Sequence, residues 1–302
     1  MLGSNPSAVP GAETEGPGHQ PGVPPTPRAL RDQHQCDKTQ SCNRRNGCVS
    51  FNPRRHVHAE PAHYVPHQDD EALAMAGAIA EHKAIGRPVY LVLLTDGYPS
   101  RRMQRILNGD VVCPWHGEPH AFGLTVEQMI WARTVEFIES ARQLGVDRVF
   151  IAGVGGLDDR EAYQAYLLFR DHVRDIVWHF ESRYPQASHK LISGWHDTYE
   201  VEGRVQTNPA HRACWDAAVV LRQAITDFRF YRVYVYYEPK HVRNAQTRRQ
   251  LTSAWLERKR AALAEYKLFE PLSARYAYGY HSVSELIDNA YNDDTEYFDR
   301  IE

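Results

Sequence analysis

His67, Asp69 and Asp70 are the residues of this chain whose types and spacing most directly suggest chemistry. An imidazole and a carboxylate three residues apart across a tight turn, His67 and Asp70, can reach one divalent ion, and Asp69 between them is then free to handle a water proton. The run Asp69-Asp70-Glu71 equally suits the first turn of a helix, where unpaired N–H groups and the positive dipole end favour carboxylates. Capping accounts for the acids and leaves His67 without a role. The metal reading uses all three, and both readings stand at this point.

The turn must be held by a strand before it and a helix after it. The apolar run Tyr64-Val65-Pro66 precedes the motif, and Leu73, Ala76, Gly77, Ala80 and Ala84 follow at helical spacing up to Gly86, which predicts a strand near 63–66 and a helix over 71–85. A continuous apolar strand over 89–94 comes next, and two such strands joined by one helix mark a parallel βαβ unit with both faces covered. Thr125 and Gln128 form a capping box for a helix to Leu144, stopped by Gly145. Further on, the pattern predicts a strand at 149–152, a helix over 162–184, a short strand at 190–193 and a loop over 194–207. Asn208 is a good N-cap with Pro209 at the first position of a helix over 210–225; an alternating strand over 230–237 and a helix over 247–266 follow, and 276–283 reads as a tyrosine-rich turn.

His67-Gln68-Asp69-Asp70-Glu71 resembles the His-Pro-Asp-Asp-Glu signature of the PIG-L/LmbE family of zinc-dependent N-acetyl-sugar deacetylases. Thr95-Asp96-Gly97 at the end of the next strand is similar to that family's Thr-Asp/Asn-Gly turn, and Asn208-Pro209-Ala210-His211 to its His-Pro-Asp-His. The resemblance spans roughly residues 58–225 and implies a Rossmann-like α/β fold, with a mostly parallel sheet flanked by helices. It implies Zn2+ or another divalent metal on His67, Asp70 and His211, and Asp69 as general base. Two nitrogens and one carboxylate around an open fourth position is the donor set of a hydrolytic zinc site. This chain departs from the pattern where Gln68 replaces a proline, Ala210 an aspartate and Asn208 a histidine. In the family that histidine is thought to stabilise the tetrahedral intermediate or protonate the leaving amine, and asparagine can only donate a hydrogen bond. Asn208 is therefore kept as a candidate catalytic residue, with His281 favoured over His196 as the substitute acid because Gly279 permits a sharp turn beside it.

Composition bounds the rest. Of 302 residues, 42% are hydrophobic and 24% charged, so a sizeable core is available, and a net charge of −3 argues against general affinity for nucleic acid or anionic membrane. No apolar run approaches the ~18 residues that span a bilayer. Residues 1–20 lack a basic segment followed by an apolar one, from which a cytoplasmic protein is expected. Residues 1–55, rich in Pro, Gly, Ser and Gln, are expected to be a disordered extension, with residues 56–302 forming the deacetylase-like domain. Cys36, Cys42 and Cys48 lie in that extension at a spacing that fits neither a zinc knuckle nor an even disulfide framework, while Cys113 and Cys214 read as isolated, reduced thiols. The long connection over 98–123, with Arg101, Arg102, Arg105, Trp115, His116, His120 and Phe122, is a candidate substrate loop or a surface excursion. The function expected is removal of an acetyl group from an N-acetylated amino sugar, free or on a natural product; the alternative is a non-hydrolytic metal- or sugar-binding member of the same fold. The oligomeric state is not legible in the sequence.

Overall fold

The computed structural model describes residues 60–99, 101–154, 163–201 and 203–300. The expected disordered extension over 1–55, with Cys36, Cys42 and Cys48, lies outside the described residues. In chain order the elements are β1 (Pro61–Val65), α1 (Asp70–Ala74), α2 (Ala76–Ala84), β2 (Tyr90–Thr95), α3 (Arg101–Leu107), α4 (Val126–Leu144), β3 (Arg148–Val154), α5 (Tyr163–Arg183) and β4 (Ser188–Ile192). They continue with β5 (Thr198–Val201), β6 (Arg204–Thr207), α6 (Pro209–Leu221), β7 (Phe228–Tyr231), β8 (Thr247–Gln250), α7 (Ser253–Glu265), β9 (Phe269–Glu270), β10 (Arg275–Tyr276), α8 (Tyr278–Tyr291) and β11 (Thr295–Arg300).

Seven strands form one sheet in the order β3-β2-β1-β4-β7-β11-β8. The first five are parallel, and β11 runs antiparallel to both β7 and β8. This is the mostly parallel, Rossmann-like sheet that the family resemblance implies, and it contains the parallel unit expected from the apolar strands. Its two faces explain why those strands are apolar throughout. Val65, Leu91 and Leu93 pack with Leu73, Phe137, Leu144 and Leu263 on one side, while Tyr64, Val92 and Leu94 meet Phe169, Val173, Phe180 and Ala217 on the other. The chain builds outward from β1 to β2 and β3, then returns to β4 on the opposite side of β1. That reversal opens a crevice beyond the carboxyl ends of β1 and β4, where open α/β sheets bind ligands. Among the described residues, no helix is long and apolar enough to cross a membrane.

Several expected elements differ, each for a tertiary reason. The helix over 71–85 is two helices broken at Met75, whose backbone sits at φ −119° and ψ 2°. The second acquires its own N-terminal cap from β11, where the buried Glu296 carboxylate accepts the N–H groups of Gly77 (2.5 Å) and Ala78 (3.1 Å). Glu296→Ala would leave those two buried donors unpaired and is expected to cost about 2–4 kcal/mol. A urea midpoint equal to the parent's would show that the cap is idle.

The strand over 230–237 ends at Tyr231 and gives way to a 3-10 turn, Tyr234–Tyr237, because the N–H groups of Val233 and Tyr234 donate to Asp197 (2.8 and 2.7 Å) rather than to a strand. Of the helix over 247–266, the first four residues are strand β8, paired with β11. The loop over 194–207 contains the hairpin β5–β6. The turn over 276–283 is the start of helix α8; it is Ala277, at φ 48°, that takes the left-handed conformation. Gly279 serves close packing instead, since a Cβ there would lie 2.6 Å from the Tyr266 ring. The capping box of Thr125 and Gln128 and the left-handed Gly145 at the end of α4 are both present as expected.

Candidate metal centre

The signature turn leaves β1 at the crevice. Its geometry is pinned from β2, where the Thr95 hydroxyl donates to the Pro66 carbonyl (2.6 Å) and the Gln68 amide reaches the Asp96 carbonyl (3.4 Å). Gln68 thus fixes by hydrogen bonding a turn that a proline would fix covalently. Asp69 follows at φ 105°, a strained backbone for a non-glycine residue. Such strain persists only where surroundings hold it. Here the Asp69 N–H donates to Glu71 (3.2 Å), and Arg133 of α4 donates to the Gln68 carbonyl (3.2 Å). Glu71 is itself locked by the hydroxyls of Ser140 and Tyr266, each donating at 2.6 Å, and burial raises its pKa to about 7 against those bonds.

The turn and the start of α6 bring three donor atoms together. His67 Nδ1, Asp70 Oδ2 and His211 Nε2 lie 3.4, 3.5 and 3.3 Å apart in a near-equilateral triangle. Four ligands about 2.1 Å from a zinc ion in a tetrahedron are separated by roughly 3.4 Å, so the three atoms fit one ion with its fourth position open. Asp70 and His211 are 2% and 1% exposed. Although burial alone would raise the Asp70 pKa, the two imidazoles hold it well below the usual carboxylate range. Burial alone would lower that of His211, yet Asp70 and Asp197 raise it to about 9. Burial lowers that of His67, with Asp70 opposing.

His211 is oriented from behind. Its Nδ1 faces Asp197 Oδ2 at 3.6 Å, its ring stacks on Tyr234 at 5.2 Å, and the Asp197 carboxylate is held by the Val233 and Tyr234 N–H groups. A carboxylate behind a metal-ligating histidine sets its tautomer and strengthens it as a donor. Asp197 stands where it could do this for His211, without any local motif; its only sequence signal is an acid in the loop before α6.

The sequence over residues 64–222 decides what the chain is related to. The family model for GlcNAc-PI de-N-acetylase, PIG-L, matches residues 64–222, more than half of the 302-residue chain. The chain belongs to the PIG-L family. No curated protein matches it in sequence. Among solved structures, it is similar to a deacetylase of teicoplanin biosynthesis, at 15% identity and a TM-score of 0.50, over 76% of this chain and 90% of that one. It is also similar to the A40926 pseudoaglycone deacetylase (16% identity, TM-score 0.47, 75% and 84% covered). A third is the N,N'-diacetylchitobiose deacetylase of Pyrococcus horikoshii (17%, 0.45, 79% and 82%). At 15% identity the first likeness speaks to fold alone.

Within the PIG-L frame, the expected site residues fall into two places. His67, Asp69, Asp70 and Asn208 line one cleft of about 180 Å3 together with Arg133, Tyr234, Ser282 and Val283, and His211 Nε2 stands 3.5 Å from Asp70 Oδ2 of that lining. Asp69 is 5% exposed, with Arg133 Nη2 at 3.5 Å; burial raises its pKa while Arg133 opposes. Asn208 caps α6, its Oδ1 accepting from the N–H groups of Ala210 (2.9 Å) and His211 (3.4 Å). Its Nδ2 donates to the Tyr234 hydroxyl (3.3 Å). His281 lies elsewhere. Its neighbours Ser282 and Val283 face the cleft, but its own ring stands against His116, His120 and Trp115. His196 is exposed and packs on Trp215.

Proposed function

We propose that the chain is a metal-dependent N-deacetylase, hydrolysing the acetamido group of an N-acetylated amino sugar, free or part of a larger natural product, with zinc as the metal. The observation that carries this reading is the open triangle of His67 Nδ1, Asp70 Oδ2 and His211 Nε2 at the mouth of a cleft that also holds a carboxylate not belonging to the triangle, Asp69. A divalent ion on that triangle supplies Lewis acidity, acidifying water and polarising an amide carbonyl. Asp69, fixed by Arg133, takes a proton from the attacking water as the new C–O bond forms. Breaking the C–N bond then releases acetate and the free amine, with that proton delivered to nitrogen.

The missing histidine at position 208 is made good by a pair. Asn208 donates to the Tyr234 oxygen, and Tyr234 itself lines the cleft. Burial, with Asp70 and Asp197 adding to it, keeps this phenol protonated. From that wall the hydroxyl would donate toward the oxyanion that develops on the acetyl group. Tyr234→Phe, which keeps the ring stacked on His211, is expected to lower kcat about 10- to 100-fold with metal content unchanged. Loss of metal in that variant would reassign Tyr234 to positioning His211. The reading as a whole is tested by incubating the zinc-loaded protein with N-acetylglucosamine and N-acetylglucosaminyl glycosides and measuring released amine and acetate. Metal binding with no release from any of them would favour the non-hydrolytic alternative.

A further inference from the structure

Outside the cleft, a second set of metal-ligating side chains converges. Cys113, His116, His120 and His281 each offer one donor atom, and these atoms lie within 4.8 Å of one another. Cys113 Sγ is 3.5 Å from His116 Nδ1, and His116 Nδ1 is 2.9 Å from His120 Nε2. Cys113, His120 and His281 are 0%, 6% and 5% exposed.

The surroundings are those of a built site. Cys113 begins a tight turn closed by the Gly117 N–H donating to the Cys113 carbonyl (2.8 Å) and by the bridge between Val112 and Pro119. Within it the His116 N–H points at Cys113 Sγ (3.4 Å), which fixes the side chain toward the three imidazoles. On the other side, His281 Nδ1 is spent on the Ala277 carbonyl (2.9 Å), which fixes the tautomer and leaves Nε2 as the donor atom. That Nε2 is buried without a hydrogen-bond partner in the structure. Phe269 packs against the rings of His116, His120 and His281, with centroids 4.3, 5.3 and 6.0 Å away.

We propose that Cys113, His116, His120 and His281 hold a second zinc ion, a structural one, that fastens the 98–123 segment to helix α8. One thiolate and three imidazoles complete a tetrahedron with no open position, the hallmark of a structural zinc site. For Zn–S near 2.3 Å and Zn–N near 2.0 Å, the sulfur–nitrogen edge is about 3.5 Å and the nitrogen–nitrogen edge about 3.3 Å. The first equals the observed separation, and the second requires the two imidazoles to part by about 0.4 Å. The fastening bears on the cleft because Ser282 and Val283, directly after His281, line its wall, and α8 is kinked at Val283 (φ −137°). The site stands on its own donor atoms and does not depend on the deacetylase reading.

The test is a metal count on the purified full-length protein, its Cys113→Ser and its His211→Ala variants, with cobalt substitution as a second readout. The parent is expected to hold two ions, and each variant one. The cobalt-loaded parent and His211→Ala should show a thiolate-to-cobalt charge-transfer band that Cys113→Ser lacks. If Cys113→Ser does not fold, the half-buried His116→Gln serves in its place, with the same expected loss of one ion. A metal count unchanged by either substitution, or a cobalt protein without the thiolate band, overturns the proposal and leaves His116 and His120 as a hydrogen-bonded pair.

Discussion

Asp69→Asn is expected to retain the cleft metal and to lose at least about 100-fold in turnover, the usual worth of a positioned general base. The substitution isolates chemistry from structure unusually well at this position. Asp69 sits at φ 105°, and asparagine is among the few non-glycine residues that accept positive φ, so the turn has no new strain to absorb. Its backbone N–H still donates to Glu71, and Arg133 keeps the Gln68 carbonyl as acceptor after losing its carboxylate partner. The three donor atoms of the triangle belong to other residues. Only the proton acceptor disappears, because an amide oxygen at neutral pH does not take a proton from water. Turnover within about tenfold of the parent, at equal metal content and melting temperature, would remove Asp69 from this role.

The parts of the fold that were legible in the sequence are those decided locally. Two apolar strands around an Ala/Leu-rich segment specify a covered parallel unit, and β1, β2 and the crevice at their ends follow from it. Asn208 and Pro209 mark the start of α6 to the residue, and with it the place of His211. The parts that were not legible are decided by residues far along the chain. Nothing near Met75 signals a break between α1 and α2, because the group that caps α2 is Glu296, 219 residues from Gly77. The strand expected over 230–237 does not continue through Val233 because Asp197 competes for its N–H, a contact that alternation of side chains cannot register.

The candidate site divides the same way. His67, Asp69 and Asp70 are neighbours in one turn, whereas Asp197 and Tyr234 reach His211 only through the fold. His281 illustrates the opposite case. Gly279 suggests a flexible turn that could swing an imidazole over the cleft, yet that glycine exists to admit Tyr266, and the helix it begins points the ring at Cys113, His116 and His120. Cys113, read beside the other cysteines, is an isolated thiol; read beside the histidines three and seven positions on, it is the first donor of a metal set.

His211→Ala is expected to abolish tight binding of the cleft ion, and activity with it, while the fold survives. His211 is the only member of the triangle that comes from outside the turn after β1, so its loss leaves two donors from one short segment and no clamp across the crevice. Alanine suits the first turn of α6, and Asn208, which caps that turn through backbone N–H groups, is unaffected. The cost to stability is the stacking on Tyr234 and a small cavity, about 1–3 kcal/mol. Asp197→Asn supplies the graded comparison. It keeps the ligand but replaces the carboxylate behind it, also giving up one of the two backbone N–H bonds that carboxylate accepts, and should weaken metal affinity about 10- to 100-fold without eliminating it. Competition titration against a chelator distinguishes the two, and the order of affinities expected is parent, then Asp197→Asn, then His211→Ala. Equal affinities in the parent and His211→Ala would mean that the ion is held elsewhere than on the triangle, and the assignment of the centre would fall with it.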